Sequence, residues 1–312
     1  MDLRQLRSLV TLVDSDFSVS HAAVRLNLVQ PAVSQHLKQL EEELGIRLFR
    51  RNGKRLVGLT QIGEQVAAYA RSTLADAANI LAIGRDHLAD DSGVLRIGTT
   101  HTHARYLLPP TLHRFRAEFP RVEVQIHQGT PQQLVALTLQ DGVDLAICSE
   151  AVGSHPALTA LPCYRWNRCL IAPFGHPVLA ARPITLEALC EEPMITYVYG
   201  FTGRGRLSDT FAKEGLRPRV VLSAAESDVI KAYVREGLGI GIITDLAYDA
   251  EEDADLGMRD LSHLFPWEST RIAHVRDKYL RAFQRRFIDL FQAESARVLH
   301  ARRNRASALG GA

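Results

Sequence analysis

The sequence predicts a mixed α and α/β fold in three parts: a helical N-terminal head with a β-hairpin, one long helix, and a two-lobed α/β domain. Apolar residues recur at helical spacing in three short segments before residue 45, and then along one segment of about thirty residues. Beyond Gly93, short apolar strands alternate with helical segments, which is typical of α/β domains. The chain of 312 residues is long enough for two or three domains with substantial cores.

We expect the head at residues 1–60, the long helix at 61–92, the α/β domain at 93–300 and a flexible basic tail at 301–312. Within the α/β domain, the first lobe is expected at 93–165 and 269–300, and the second lobe at 166–268.

The head is predicted to contain three helices. Ser20 is a candidate N-cap for the second helix, and Asn27 falls at the turn into the third. The third helix begins near Gln30, with Pro31 in its first turn. Proline suits this position because the backbone N–H that it lacks would have no helical partner there. Its buried stripe steps by four, three and four residues: Val33, Leu37, Leu40 and Leu44. A helix, a tight turn and a second helix in this arrangement predict a helix-turn-helix.

The segment after the third helix is basic and predicts a hairpin. Residues 47–55 contain arginines and a lysine without any acid, and Asn52-Gly53 between them is typical of a hairpin turn. Such a wing would neutralise DNA phosphates. A three-helix core without a ligand is the alternative for the helical pattern alone, but the basic hairpin favours a DNA-binding domain.

Two groups of residues are candidates for contacting DNA. The candidates for base edges or neighbouring sugar-phosphate lie in the first turns of the third helix: Gln30, Ser34, Gln35 and His36. Pro31, in the same turns, is also among the predicted DNA-binding residues. The candidates for phosphate contacts are basic or small and polar: Ser20, Lys38, Arg50, Arg51, Lys54 and Arg55.

The long helix is expected to form a dimer. From Thr60 to about Ala89 an apolar seam recurs by fours and threes. A helix of this length spans about 45 Å and cannot pack wholly on a small head, so a second copy of the chain is the simplest partner. A helix folded back on its own chain is the alternative. Residues 90–93 then end the helix.

The α/β domain has two sets of strands, and a late strand at residues 271–276 returns to the first set. This pattern predicts two lobes and two crossings, near residues 164–168 and 266–270. Small molecules bind such domains at the carboxyl ends of strands, here in the cleft between the lobes.

A cluster of hydroxyl groups follows the first strand of this domain. Residues 99–103 read Thr-Thr-His-Thr-His at the entry to a helix, where backbone N–H groups, hydroxyls and the positive helix end converge. Ser149-Glu150 follows another strand, and Thr202 lies between glycines. These residues predict an anion cradle, and ordinary N-capping by the threonines is the alternative.

Composition excludes several classes of protein. The net charge of +2 is too small for nonspecific coating of nucleic acid, and no apolar stretch is long enough for a membrane span. The four cysteines have no C-x-x-C spacing, so we expect reduced thiols in a cytoplasmic protein, with a redox pair as the alternative. Hydrolase and nucleotide-binding motifs are not found, and His101-x-His103 has no second ligand pair. We therefore expect no enzyme, no catalytic residue, no metal and no cofactor.

The head also resembles a known family. The run from Gln30-Pro-Ala-Val-Ser-Gln to Leu40-Glu-Glu-Glu-Leu-Gly-Ile-Arg-Leu-Phe-Arg is similar to the winged helix-turn-helix of LysR-type transcriptional regulators. Val29 departs from the family, which commonly has a capping Ser or Thr there, so Gln30 is expected to cap the helix. The resemblance implies a long dimerisation helix, a periplasmic-binding-protein-like effector domain, a homodimer that assembles into a tetramer, and contact with RNA polymerase.

The effector domain is similar to the CysB-like branch of that family, whose members regulate sulfur assimilation and cysteine biosynthesis. The similarity lies in five segments, which start at Thr99, His127, Leu161, Gly200 and Asp228. It implies an effector such as sulfate, thiosulfate or acetylserine between the lobes.

Residues Thr100, Thr102, Ser149 and Thr202 match or conservatively replace the branch's sulfate contacts. His103 replaces a glutamine, which leaves anion binding possible but opens the identity of the effector. Glu150 would repel a bare dianion but could meet the ammonium group of an acetylserine-like ligand, or form a structural salt bridge.

Two alternatives remain open at this stage. Within the regulator interpretation, the protein could regulate sulfonate utilisation and bind an organosulfonate. From a different class, it could be a cytoplasmic solute-binding or enzymatic α/β protein whose N-terminal helices only dimerise it.

Overall fold

The computed structural model describes residues 1–53, 55–88, 91–149, 151–153, 155–198 and 204–309. The chain divides into two compact units, Met1–Asp90 and Asp91–Ala312. Among the described residues, no helix is both long enough and apolar enough to span a bilayer.

The first unit contains four helices and a hairpin among its described residues: α1 (Leu3–Val13), α2 (Val19–Leu26), α3 (Gln30–Leu44), β1 (Phe49–Asn52), β2 (Arg55–Leu59) and α4 (Gln61–His87). The strands β1 and β2 are antiparallel, as the Asn52-Gly53 turn predicts. The apolar stripe of α3 is buried at Val33, Leu37 and Leu40, whereas Leu44 at its end is exposed. A single core joins the helices and the hairpin to the first turns of α4.

The helix caps differ from two expectations. Ser18, not Ser20, caps α2, because its hydroxyl accepts the backbone N–H of His21 at 3.3 Å. Val29 occupies the cap position of α3 without a side-chain hydrogen bond, and Gln30 is already the first helical residue, so the expected Gln30 cap is also wrong. Asn27 ends α2 in the left-handed conformation (φ 52°), which a tight turn requires and asparagine tolerates.

The start of α4 packs unusually closely against the wing. A Cβ atom on Gly63 would lie 2.1 Å from the carbonyl oxygen of Leu48, which precedes β1. That same oxygen accepts the backbone N–H of Thr60 at 2.9 Å. Thr60 in turn caps α4 through the backbone N–H of Gly63 at 3.0 Å. Only glycine at position 63 allows this junction, which fixes the wing relative to α4.

We expect Gly63→Ala to destabilise the head by roughly 1–3 kcal/mol, because the carbonyl of Leu48 must move away from the new methyl group. Amide hydrogen exchange in residues 49–63 of the full-length chain would measure this as faster exchange. Gly84→Ala is the matched control, since Gly84 lies on the same helix with nothing within 4 Å of the added Cβ. That substitution should stabilise α4 by roughly 1 kcal/mol. Equal effects of the two substitutions would contradict the close contact.

The second unit contains two five-stranded sheets. Its strands are β3 (Gly93–Thr99), β4 (Val122–Gln128), β5 (Leu145–Cys148), β6 (Leu158–Trp166), β7 (Arg168–Pro173), β8 (Met194–Tyr197), β9 (Val220–Ala224), β10 (Ile240–Thr244), β11 (Leu256–Asp260) and β12 (Glu268–Val275). Its helices are α5 (His101–Tyr106), α6 (Leu108–Glu118), α7 (Pro131–Leu139), α8 (Leu186–Glu191), α9 (Arg204–Lys213), α10 (Ser227–Arg235) and α11 (Ala282–Leu309).

Each sheet combines parallel and antiparallel strands. The first sheet has the order β4-β3-β5-β12-β6, and the second has the order β11-β7-β10-β8-β9. The central strands β5, β8 and β10 are buried along their whole length, as expected for strands covered on both faces. The chain passes between the sheets at Asn167, between β6 and β7, and returns between β11 and β12.

Several elements differ from the sequence pattern. The predicted helix from about Arg105 to Phe119 is two helices, α5 and α6, with Leu107 between them. The strands β6 and β11 and the helices α8 and α9 are not anticipated. The last helix continues to Leu309, past the end near Leu299 that the sequence pattern predicts.

A buried ion pair lies at the two crossings. Arg168 begins β7 and Glu268 begins β12, and their side chains are 3.1 Å apart and only 3% and 2% exposed. The guanidinium group also lies over the rings of Trp166 and Phe265. Arg206 of α9 reaches the other oxygen of Glu268 at 2.8 Å, but it is half-exposed. The pair therefore ties both crossings together in the interior.

Candidate DNA-binding and effector sites

The exposed face of α3 presents small polar side chains at its start. Gln30, Pro31, Ser34, Gln35 and Lys38 are exposed, opposite the buried stripe. Glutamine and serine on the first turns of a recognition helix can donate and accept hydrogen bonds at base edges. The structure therefore brings most of the predicted base-edge residues onto one accessible surface.

His36 is placed differently from its neighbours. It is half-buried, and its Nδ1 atom forms a 2.9 Å hydrogen bond with the hydroxyl of buried Ser8 on α1. Its ring is therefore held by the packing of the head, with one nitrogen already used.

The wing is organised by an acid from α3. One oxygen of Glu41 accepts the backbone N–H of Leu48 at 2.7 Å, and its other oxygen lies 3.1 Å from Arg51. This acid therefore fixes the start of β1 and orients one predicted phosphate contact. Arg50 lies against Gly58 across the hairpin, and a Cβ on that glycine would meet its guanidinium at 2.6 Å.

The other predicted phosphate contacts are less constrained. Arg55 is exposed, Ser20 is exposed on α2, and Lys38 lies 3.4 Å from Glu42 on the surface of α3. Lys54 lies outside the described residues.

In the second unit, three of the predicted effector residues belong to one hydrogen-bonded chain. The hydroxyl of Thr100 lies 2.7 Å from Nδ1 of His103, and Nε2 of His103 lies 3.2 Å from the hydroxyl of Thr270. The hydroxyl of Thr270 lies 3.2 Å from that of Ser149, which accepts the indole N–H of Trp166 at 2.9 Å. We call these five residues the hydroxyl–imidazole chain.

Sheet topology explains why these residues meet. The strands β3 and β5 are parallel neighbours, so the residues after them, Thr100 and Ser149, lie at the same edge. Arg271 of β12 pairs with Cys148, the last residue of β5, which places Thr270 beside Ser149. Sequence reasoning missed Thr270 because its strand is antiparallel and arrives from the far end of the chain.

The geometry at Thr100 argues against simple capping. Thr100 immediately precedes α5, yet its side chain makes no capping hydrogen bond, because it bonds His103 instead. The first N–H groups of α5 are therefore not satisfied by this hydroxyl, which favours the anion-cradle interpretation. Thr102 is buried on the same helix. Glu150 and Thr202 lie outside the described residues.

His103 is a neutral imidazole in this setting. It is 4% exposed, and burial lowers its pKa from 6.5 to about 4. It therefore contributes hydrogen bonds near pH 7 but no charge attraction to an anion.

The other side of α5 contacts the second lobe. Asp228 of α10 accepts the Tyr106 hydroxyl at 2.7 Å, and it lies 2.9 Å from Arg105 and 3.2 Å from His101. Burial would raise the pKa of Asp228, but these hydrogen bonds and the arginine hold it below its usual value. Buried Lys231 lies 3.3 Å from the Tyr106 hydroxyl. The short helix α5 thus joins the hydroxyl–imidazole chain to the opposite lobe.

Two family models match the chain. The first is described as the bacterial regulatory helix-turn-helix protein, lysR family, over residues 3–64. The second is the LysR substrate binding domain, over residues 89–296.

Two similar regulators match nearly the whole chain, and one similar solved structure matches about two thirds of it. The HTH-type transcriptional regulator CysB of Burkholderia cenocepacia is 38% identical over 299 residues, covering 96% of each chain. The regulator SsuR of the same organism is 40% identical over 291 residues, covering 93% of this chain and 94% of that one. The crystal structure of the cofactor-binding domain of the Cbl transcriptional regulator is 42% identical, with a TM-score of 0.63, and the match covers 65% of this chain and 90% of that one.

The relatives are transcriptional regulators, and both family models describe domains of LysR-type regulators. These matches favour the regulator interpretation over the solute-binding or enzymatic alternative. LysR regulators bind DNA and form oligomers. With a winged helix-turn-helix and a two-lobed effector domain both present, the chain belongs to the LysR family of transcriptional regulators, alongside its CysB, Cbl and SsuR types.

Proposed function

We propose that this regulator senses a sulfur-related oxyanion, such as sulfate, thiosulfate or an acetylserine-like compound, and controls genes of sulfur assimilation and cysteine biosynthesis. Regulators of the CysB, Cbl and SsuR type control sulfur assimilation and sulfonate utilisation. The observation that supports an oxyanion is the hydroxyl–imidazole chain at the start of α5, where neutral donors and helix N–H groups converge.

The effector site in this proposal comprises Thr100, Thr102, His103, Ser149, Glu150 and Thr202. Its main donors are hydroxyl groups, and hydrogen bonds from neutral donors to an ionised ligand contribute roughly 1.5–3 kcal/mol each. An organosulfonate fits the same donors, because its three oxygens are also acceptors, so regulation of sulfonate utilisation is the second candidate.

The DNA-binding surface in this proposal is the exposed start of α3 together with the wing. Gln30, Ser34 and Gln35 contact base edges, and the arginines of the wing contact phosphates. A homodimer formed through α4, assembling into a tetramer, places two such heads on adjacent major grooves in the cytoplasm.

The signal passes from the effector site to the DNA through the lobes. An effector that prefers one lobe arrangement shifts the population of assemblies towards it. The contacts of α5 with Asp228 in the second lobe couple the effector site to the arrangement of the lobes. The shift then alters DNA bending or contact with RNA polymerase.

The combined substitution Thr100→Ala and Thr202→Ala should abolish the effect of sulfate on promoter binding, because two hydroxyl donors to the anion are lost together. Calorimetric titration of the full-length chain with sulfate, thiosulfate, acetylserine and an alkylsulfonate would measure the loss and rank the ligands. Binding to a promoter fragment, measured against salt concentration in the same samples, reports phosphate contacts through its slope.

Thr210→Ala is the matched control, since Thr210 is a threonine of α9 in the same unit whose hydroxyl donates to the backbone carbonyl of Arg206 one turn earlier. An unchanged sulfate response in the double variant would refute the effector site. Tight binding of the sulfonate alone would select the second candidate.

A further inference from the structure

The hydroxyl–imidazole chain contains a fixed number of protons. His103 touches a hydroxyl at each ring nitrogen, Thr100 at 2.7 Å and Thr270 at 3.2 Å. Burial keeps the ring neutral by lowering its pKa to about 4. A neutral imidazole has one N–H donor and one acceptor nitrogen. At each of the two contacts, the ring is therefore the donor in one tautomer and the hydroxyl is the donor in the other.

The first tautomer has the proton on Nδ1. The ring then donates to Thr100, whose own hydroxyl proton is left to point away from the chain. At the other end of the ring Nε2 accepts a hydrogen bond, so the hydroxyl of Thr270 donates its single proton to Nε2. The 3.2 Å contact between Thr270 and Ser149 must then take its proton from Ser149.

The second tautomer has the proton on Nε2 and reverses each donor. Thr100 now donates to Nδ1 and has no proton left for a ligand. Because the ring donates to Thr270, the proton of Thr270 is available for Ser149 or for the hydroxyl of Tyr164, which also hydrogen-bonds Thr270. The oxygen of Ser149 also accepts the indole N–H of Trp166 at 2.9 Å, so its own proton is released to point outward.

We propose that His103 is a tautomer relay that allows either Thr100 or Ser149, but not both, to donate a hydrogen bond to the bound effector. The inference rests on the proposed effector site and assigns a specificity-determining role to His103. A fully deprotonated oxyanion such as sulfate has only acceptor oxygens, so its contact with Thr100 requires the Nδ1–H tautomer. A ligand that brings its own hydroxyl can instead donate to Thr100 in the Nε2–H tautomer.

The test is ¹⁵N NMR of the full-length chain labelled in its twelve histidines. Two-bond correlations between ring protons and nitrogens distinguish the two tautomers from each other and from the imidazolium. The His103→Gln variant assigns the signal by removing it. Titration with sodium sulfate at pH 7.5, against sodium chloride at matched ionic strength, should shift His103 towards the Nδ1–H form.

Ser149→Ala tests the relay without any anion. The proton of Thr270 then has only Nε2 of His103 and the hydroxyl of Tyr164, which also hydrogen-bonds Thr270, to receive it, so His103 should move towards Nδ1–H before sulfate is added. A purely structural role of Ser149 predicts no such shift. Ser8→Ala is the matched control, because that serine contacts His36 in the other unit and should leave the His103 signal unchanged.

The outcomes separate the relay from the proposed function. If sulfate binds by calorimetry while His103 is in the Nε2–H form or becomes an imidazolium, the relay is wrong and the effector assignment stands. A His103 ring that stays in the Nε2–H form in Ser149→Ala also overturns the relay. If sulfate fails to bind while Ser149→Ala shifts the tautomer, the relay is supported and sulfate is not the effector.

Discussion

Replacing Glu268 with alanine is expected to destabilise the second unit by roughly 3–5 kcal/mol, because the substitution leaves the buried charge of Arg168 without its carboxylate. Both side chains are almost completely buried, 3.1 Å apart, at the points where the chain passes between the two sheets. The loss therefore falls on the segment that joins the lobes, and the response to the effector should weaken together with stability.

Denaturant unfolding followed by tryptophan fluorescence measures this change in the intact chain. Both tryptophans, Trp166 and Trp267, lie beside the crossings, so their emission reports the second unit alone. Arg206→Ala is the matched control, since it removes the half-exposed partner of Glu268 and keeps the buried pair, and its cost should be well below that of Glu268→Ala. Glu268→Gln retains the shape if the alanine variant does not fold. Losses of equal size for the Arg206 and Glu268 variants would show that burial of the pair is unimportant.

Lowering the pH from 6.5 to 4 is expected to destabilise the second unit by up to roughly 3 kcal/mol through His103 alone. Burial lowers the pKa of this imidazole from 6.5 to about 4. Above pH 6.5 the ring is neutral in both the folded and the unfolded chain, and it adds no pH dependence. Between these values the unfolded chain binds a proton that the folded chain excludes, so unfolding becomes more favourable as the pH falls.

The difference between the wild-type chain and His103→Gln isolates this contribution. Other groups also titrate in this range, including His274, whose pKa burial also lowers, but they are common to both proteins. The wild-type free energy of unfolding should therefore fall more steeply with acid than that of the variant, again measured by tryptophan fluorescence. Parallel curves for the two proteins would mean that His103 is protonated in the folded state.

Local patterns in the sequence predict much of the head. The spacing of Val33, Leu37 and Leu40 predicts the buried face of α3, and Asn52-Gly53 predicts the hairpin. The helix caps are predicted less accurately, because Ser18 and Ser20 both have the side chain that a cap requires. Which of them caps α2 depends on where the backbone turns after α1.

The effector site is only partly predictable in the same way. Thr100 and Ser149 follow strands that are strongly apolar, so the topology of a parallel sheet predicts that they meet. The partner that joins them, Thr270, lies on an antiparallel strand more than a hundred residues away from Ser149 along the chain. The sequence pattern also does not predict the ion pair of Arg168 and Glu268, because these two residues lie far apart along the chain.

The sequence by itself determined the family, through local motifs, and the helices and hairpin of the head, through periodicity and turn residues. It also predicts the residues that we propose to bind DNA or an oxyanion. Only the tertiary structure decided which hydroxyls share protons with His103, that its imidazole is neutral, and that Glu41 organises the wing. Those properties depend on burial and on contacts between distant segments, and both arise only when the chain is packed.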